Sequence, residues 1–114
     1  MGNKEILKKI QDSTIKEYNK YREMVCKLPG NEIFNMAGEI YAYECIVSYF
    51  AGIEVDIDYD TNTAEMLIEL YDEDVPNDIL SALVNMYYNT NEIDISYWGG
   101  VEELISILHK EEFN

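Results

Sequence analysis

From Leu28 to His109 the sequence contains no lysine and no arginine. A surface that binds nucleic acid directly must neutralise phosphates with cations, so this region cannot provide one. The same absence removes the lysine of a phosphate-cradling glycine-rich loop, and no such loop pattern is present. Long apolar runs are also missing. The opening "MGNKEILKKIQDS" holds neither a signal-peptide core nor a membrane-spanning stretch. Gly2 does not begin a myristoylation motif, which requires Ser or Thr where Ile6 stands. Cysteine is scarce: Cys26 and Cys45 each fall inside an apolar pattern of helical spacing, which predicts free, buried thiols in a reducing compartment. These absences together predict a cytoplasmic chain with no membrane and no direct nucleic-acid partner.

Material for a core is plentiful. The 114 residues are 47% hydrophobic and include ten Tyr, three Phe and one Trp, enough to close one hydrophobic core but not two. A single acidic domain over residues 1–114 is the expectation.

Charge is divided unevenly along that domain. Residues 1–27 hold seven basic and four acidic side chains, a balance of +3, whereas residues 28–109 hold seventeen acidic and no basic ones, a balance of −17. Lys110, Glu111 and Glu112 contribute −1 and complete the net charge of −15. Self-repulsion of this size opposes compaction and is partly screened by salt. A function other than stability is the natural reason for it.

Hydrophobic spacing supplies the scaffold. Leu7, Ile10, Thr14, Tyr18, Tyr21, Val25 and Leu28 form one stripe of a long amphipathic helix that Pro29-Gly30 ends. Asn31 is placed to cap a second helix carrying Ile33, Ala37, Ile40, Tyr43, Val47 and Phe50, which Gly52 stops. Val55, Ile57 and Tyr59 then alternate with acids, a period of two. Asn62 and Glu65 make a capping-box pattern for a third helix, and Pro76 opens a fourth. "NEIDISYW" alternates again before Gly99-Gly100 and a last helix with Val101, Leu104, Ile105 and Leu108. The pattern predicts a mainly α, compact five-helix single domain. Residues 53–59 and 92–97 are the candidates for a minor two-stranded element, which would make the fold α+β.

The stretch "EVDIDYDTNTAEMLIELYDEDVPND", residues 54–78, concentrates ten carboxylates. One reading is a metal site. Asp58, Asp60, Asn62 and Glu69 fall at positions one, three, five and twelve of a calcium-binding loop. The sixth position, which needs Gly for its turn, is Thr63, and the normally apolar eighth is Glu65. Chance matching in an acid-rich chain accounts for the spacing, and nothing in the sequence requires a metal or another cofactor.

Catalysis lacks its parts. The one histidine, His109, stands near the end of the last helix, where the C-terminal dipole favours it. No Ser or Cys has a motif for activation, and paired carboxylates are unspecific in so acidic a chain. The sequence is that of a non-enzymatic protein.

A binding role remains. Along an extended segment, alternate carboxylates from Glu54 to Asp60 would stand about 6.6 Å apart on one face, of the same order as phosphates along a nucleic-acid strand. Glu54, Asp56, Asp58, Asp60, Asp72, Glu73 and Asp74 are therefore the candidate partner-binding residues, facing a basic nucleic-acid-binding groove, with tyrosines as anchors. The alternative is a self-associating structural or regulatory helical module, a homodimer in the simplest case, whose acidic surface is passive.

The run "LPGNEIFNMAGEIYAYECIVSYF", residues 28–50, together with the tyrosine-rich helix before it, resembles a family of small uncharacterised proteins of clostridial genomes and their mobile elements. The resemblance spans residues 5–50 and rests on Leu28, Pro29, Glu32, Ile33, Ala37 and Glu39. The sequence departs from that family at Gly38 and over residues 53–98. The resemblance implies a phage or mobile-element product of a low-GC Gram-positive bacterial host. Small acidic proteins of that origin resemble inhibitors of defence nucleases, which implies an anti-CRISPR-like inhibitor acting in the host cytoplasm. It carries over no catalytic residue.

Overall fold

The computed structural model describes residues 3–53, 62–72, 78–90 and 92–113. These form six helices: α1 Asn3–Cys26, α2 Gly30–Asn35, α3 Ala37–Ala51, α4 Asn62–Asp72, α5 Ile79–Thr90 and α6 Trp98–Phe113. The fold is mainly α, and among the described residues there is no strand. None of the described helices is long and apolar enough to cross a membrane.

The apolar stripes converge on one core. Ile6, Leu7 and Ile10 of α1 meet Ala42, Ile46 and Phe50 of α3, Leu67 and Leu70 of α4, Leu80 and Leu83 of α5, and Leu104 and Ile105 of α6. Most of these side chains are wholly removed from water, so truncating one, for example Leu83→Ala, would cost about 2–5 kcal/mol. Helix α1 packs on α3, α4 and α5, while α6 closes the other side against α4, α5 and α3. Full burial along α1 runs from Ile6 to Thr14 and returns only at Val25. Its second half is therefore a half-buried extension along α3 rather than a core element.

Two polar side chains of α1 finish helices far away in sequence. Gln11 is buried, and its Nε2 donates to the carbonyls of Phe50 at 2.8 Å and Ile53 at 2.9 Å. Those carbonyls lie at and just beyond the C-terminal end of α3, where no intrahelical donor exists. Glu17 does the corresponding service at the start of α5, accepting from the backbone N–H groups of Leu80 and Ser81.

Several expectations change in the fold. The second helix is two, because the chain breaks at Met36, whose φ of −95° and ψ of 8° leave the helical region. Pro29, not Asn31, occupies the cap position of α2, and no side-chain hydrogen bond caps it. Gly52 has φ −85°, an ordinary right-handed value. Its small size matters instead, since a Cβ there would come within 2.6 Å of the Trp98 ring. The last helix starts at Trp98 and so includes Gly99 and Gly100. A Cβ at Gly100 would overlap the backbone carbonyl of Asp94, so glycine is what lets the chain fold back there.

The proposed strand over residues 92–97 does not form. Residues 92–94 are irregular and 95–97 are turn and bend. The alternation has a local cause: the Asp94 carboxylate accepts from the Ser96 N–H at 2.9 Å and from its hydroxyl at 2.6 Å. This side-chain turn competes with a ladder, and Ile95 points inward from it. Of the other proposed strand, residues 53–59, Ile53 is buried and irregular, and 54–59 lie outside the described residues. The cysteines are both free, but Cys26 is exposed and Cys45 half-buried, against the expected burial of both.

Candidate acidic docking surface

The acids named from sequence fall mostly outside the described residues. Glu54, Asp56, Asp58, Asp60, Glu73 and Asp74 lie there, and Asp72 is the last residue of α4. Of the calcium-loop pattern, Asn62 and Glu69 are described and both belong to α4. Seven helical residues separate them by about 10 Å along the axis, so they do not converge as ligands in a loop. Glu69 is engaged elsewhere: its Oε2 is 3.1 Å from His109 Nε2. His109 also packs on the Phe113 ring, with centroids 4.6 Å apart. Among the described residues no group of three or more His, Cys, Asp or Glu side chains could hold a metal ion.

Glu17, Glu69, Asp94 and Glu102 have structural partners, Glu102 accepting from the Tyr49 hydroxyl at 3.3 Å. Hydrogen bonds from Ser96, first through its hydroxyl and then its backbone N–H, hold the Asp94 carboxyl below its usual pKa. Glu32, Glu44, Glu65, Glu92 and Glu103 stand exposed. The basic side chains, by contrast, are concentrated on α1, with Lys8, Lys9, Lys16, Lys20 and Arg22 all exposed. Sign segregation along the sequence has thus become sign segregation between one helix and the rest of the fold.

Several aromatic rings are exposed as well. Tyr41 and Tyr88 are each 47% exposed, Tyr97 57% and Trp98 55%. Tyr88, near the end of α5, reaches the start of α3, whereas Trp98 packs at the end of α3. The hydroxyl of Tyr88 lies 3.6 Å from where a Cβ of Gly38 would be. The Tyr41 phenol is pushed to a higher pKa, first by a hydrogen bond with the Cys45 thiol and to a smaller degree by Asp94 and Tyr87. Trp98 packs edge-on against Tyr49 of α3, centroids 5.9 Å apart.

A second feature lies along the half-buried part of α1. Between Tyr18, Tyr21, Arg22 and Val25 of α1 and Ile40 and Glu44 of α3 there is a cleft of about 330 Å³. Tyr21 stacks flat on Tyr43, centroids 3.7 Å apart and planes 12° from parallel. Its hydroxyl is buried without a hydrogen-bond partner. Burial first, and the charge of Glu39 second, raise its pKa far above that of an ordinary phenol.

The sequence singled out the acids of residues 54–74 and expected tyrosines as anchors, but gave no sign that Glu39, Tyr41, Tyr88 and Asp94 lie near one another's helices. The available signal was the abundance of Tyr at exposed helical positions. No family model, curated protein or solved structure matches this chain.

Proposed function

We propose that this protein is a non-enzymatic acidic binding protein that occupies the nucleic-acid-binding groove of a basic host protein. In this reading it is an inhibitor of phage or mobile-element origin, anti-CRISPR-like in mode, and its carboxylates imitate phosphates. The observation that carries it is the absence of any Lys or Arg from residue 28 to residue 109, on a fold that exposes Glu32, Glu44, Glu65, Glu92 and Glu103 together with Tyr41, Tyr88, Tyr97 and Trp98. Solubility alone tolerates mixed signs, whereas a groove evolved for polyanions repels a misplaced cation. Aromatic anchors add affinity that charge alone does not give.

The test is capture of a partner from a bacterial host lysate at low salt, identification by mass spectrometry, and competition with a short DNA or RNA duplex. Mimicry requires that the duplex displace the protein from its partner. A partner retained in full at saturating duplex would refute the shared groove.

A second reading, a self-associating module, draws on Phe34 of α2, which is 81% exposed. Sedimentation velocity across a hundredfold range of concentration separates it from the first, since a monomer throughout removes the dimer face.

A further inference from the structure

The first 44 residues carry no net charge, because seven basic side chains there balance seven acidic ones. Residues 45–114 hold sixteen acidic and one basic side chain and so carry the whole net charge of −15. A contact between two copies is therefore least opposed by repulsion where it uses α1, α2 and the start of α3. The same stretch exposes large apolar groups: Met24 on α1, Tyr41 on α3 and, most exposed of all, Phe34 on α2.

A receptor for such a group lies close by. The cleft of about 330 Å³ between α1 and α3 has Tyr18, Val25 and Ile40 in its lining. A cavity of about 150 Å³ takes a benzene ring, so a phenyl side chain fits. Cys26, the last residue of α1, also lines the cleft, and α2 begins just beyond it at Gly30. Phe34 does not fill the cleft of its own chain, since it is almost wholly exposed.

The cleft has one charge of each sign, Arg22 from α1 and Glu44 from α3, both exposed. Among the described residues the ion pairs join Lys8 to Asp12 and His109 to Glu69, so Arg22 and Glu44 are not paired with each other. A basic partner would be repelled by the guanidinium and an acidic one by the carboxylate. A second copy answers both, because under a two-fold axis each group meets its opposite on the other chain. We propose that this face binds a second copy of the chain about a two-fold axis, with Phe34 of each copy seated in the cleft of the other and Arg22 of each paired with Glu44 of the other. The inference rests on the self-association reading and names its contact. It is independent of the acidic-groove reading, whose acids lie in residues 54–74.

Sedimentation velocity of the full chain at physiological salt, over about a hundredfold range of concentration, reads the association. The wild type is expected to pass from monomer to dimer. Phe34→Ser is expected to weaken the dimer about a hundredfold, about tenfold for each of the two rings returned to water. Phe113→Ser, a control at the exposed end of α6, is expected to leave it unchanged. Arg22→Glu alone and Glu44→Arg alone each set like charges opposite one another across the axis, and each is expected to be monomeric. An equimolar mixture of these two variants restores both ion pairs and is expected to dimerise. A wild type that stays monomeric would overturn this contact and the self-association reading together. A wild-type dimer that Phe34→Ser weakens no more than Phe113→Ser does, or a mixture no more associated than its parts, would overturn the contact alone. Should a charge variant not fold by circular dichroism, the comparison of the two serine variants decides.

Discussion

Glu17 and Ser81, one in the middle of α1 and the other in the first turn of α5, are joined twice. The Glu17 Oε2 accepts from the Ser81 hydroxyl at 2.6 Å and from its backbone N–H at 2.9 Å. Oε1 accepts from the Leu80 N–H at 3.1 Å. A carboxylate from another helix thereby satisfies two of the orphan donors at the start of α5 and places negative charge at the positive end of its dipole. Glu17→Ala is expected to destabilise the fold by about 1–2 kcal/mol, the usual value of a lost N-cap. Glu17→Gln, which keeps one acceptor, should cost less. Urea unfolding of the two variants checks the order; equal costs would show that the charge, not the acceptor, matters.

This cap marks the limit of what the sequence can disclose. Periodicity identified much of the buried faces, and Leu7, Ile10, Val47, Phe50, Val101 and Leu104 are in the core, but on α3 the expected Ala37 is exposed and Ile46, outside the expected stripe, is buried. Such faces are legible because burial repeats every three or four residues within one helix. Gln11 and Glu17 are polar residues whose partners lie 39 or more residues away, and no local pattern connects them. The 92–97 segment misled for a related reason: alternation is a strand signal only when a neighbouring strand is available, and Asp94 instead turns back on Ser96. The uneven charge was legible, because charge is additive along the chain. The grouping of Glu39 with Tyr88 was not, because they become neighbours only once α3 packs on α5.

Glycine substitutions should separate two kinds of contact. At Gly38 an added Cβ meets only the Tyr88 hydroxyl at 3.6 Å, an ordinary contact. Gly38→Ala near the start of α3 is therefore expected to stabilise slightly, by up to about 0.5 kcal/mol, through reduced backbone entropy in the unfolded chain. Gly100→Ala drives a Cβ into the Asp94 carbonyl, which is backbone and cannot rotate away. It is expected to destabilise by about 1–3 kcal/mol or more. Thermal melts of both variants test the contrast, and a neutral Gly100→Ala would mean that the 92–97 turn shifts freely.

Alkaline pH should weaken the fold through Tyr21. Burial, reinforced by Glu39, holds its folded-state pKa above the value of the unfolded chain, which is about 10. A raised pKa means that the neutral phenol is favoured by folding. Its contribution is fully present below about pH 10 and is lost as pH rises from there toward the folded-state pKa, because the unfolded chain releases its proton first. Tyr21→Phe is expected to reduce the fall in melting temperature between about pH 9 and pH 11. Absorbance at 295 nm gives the companion reading: the wild type should titrate one more late phenol than the variant. An unchanged slope and an unchanged late phase would show that the Tyr21 hydroxyl reaches solvent.

The acidic segment itself allows the last separation. Replacing Asp56, Asp58 and Asp60 together by Asn removes three charges from a chain of net charge −15 and preserves side-chain size. If these acids meet a basic groove, the variant should bind the captured partner at least about tenfold more weakly, and its affinity should fall less steeply as salt rises, since fewer charge contacts are left to screen. The fold should remain, or melt slightly higher, because self-repulsion is relieved. Passive acids would give the same folding result with neither binding effect. A calcium site would instead show itself in melts with calcium and with chelator: the ion would raise the melting temperature of the wild type and not of the variant. Equal partner affinity and equal salt dependence in the two proteins would remove mimicry at this segment.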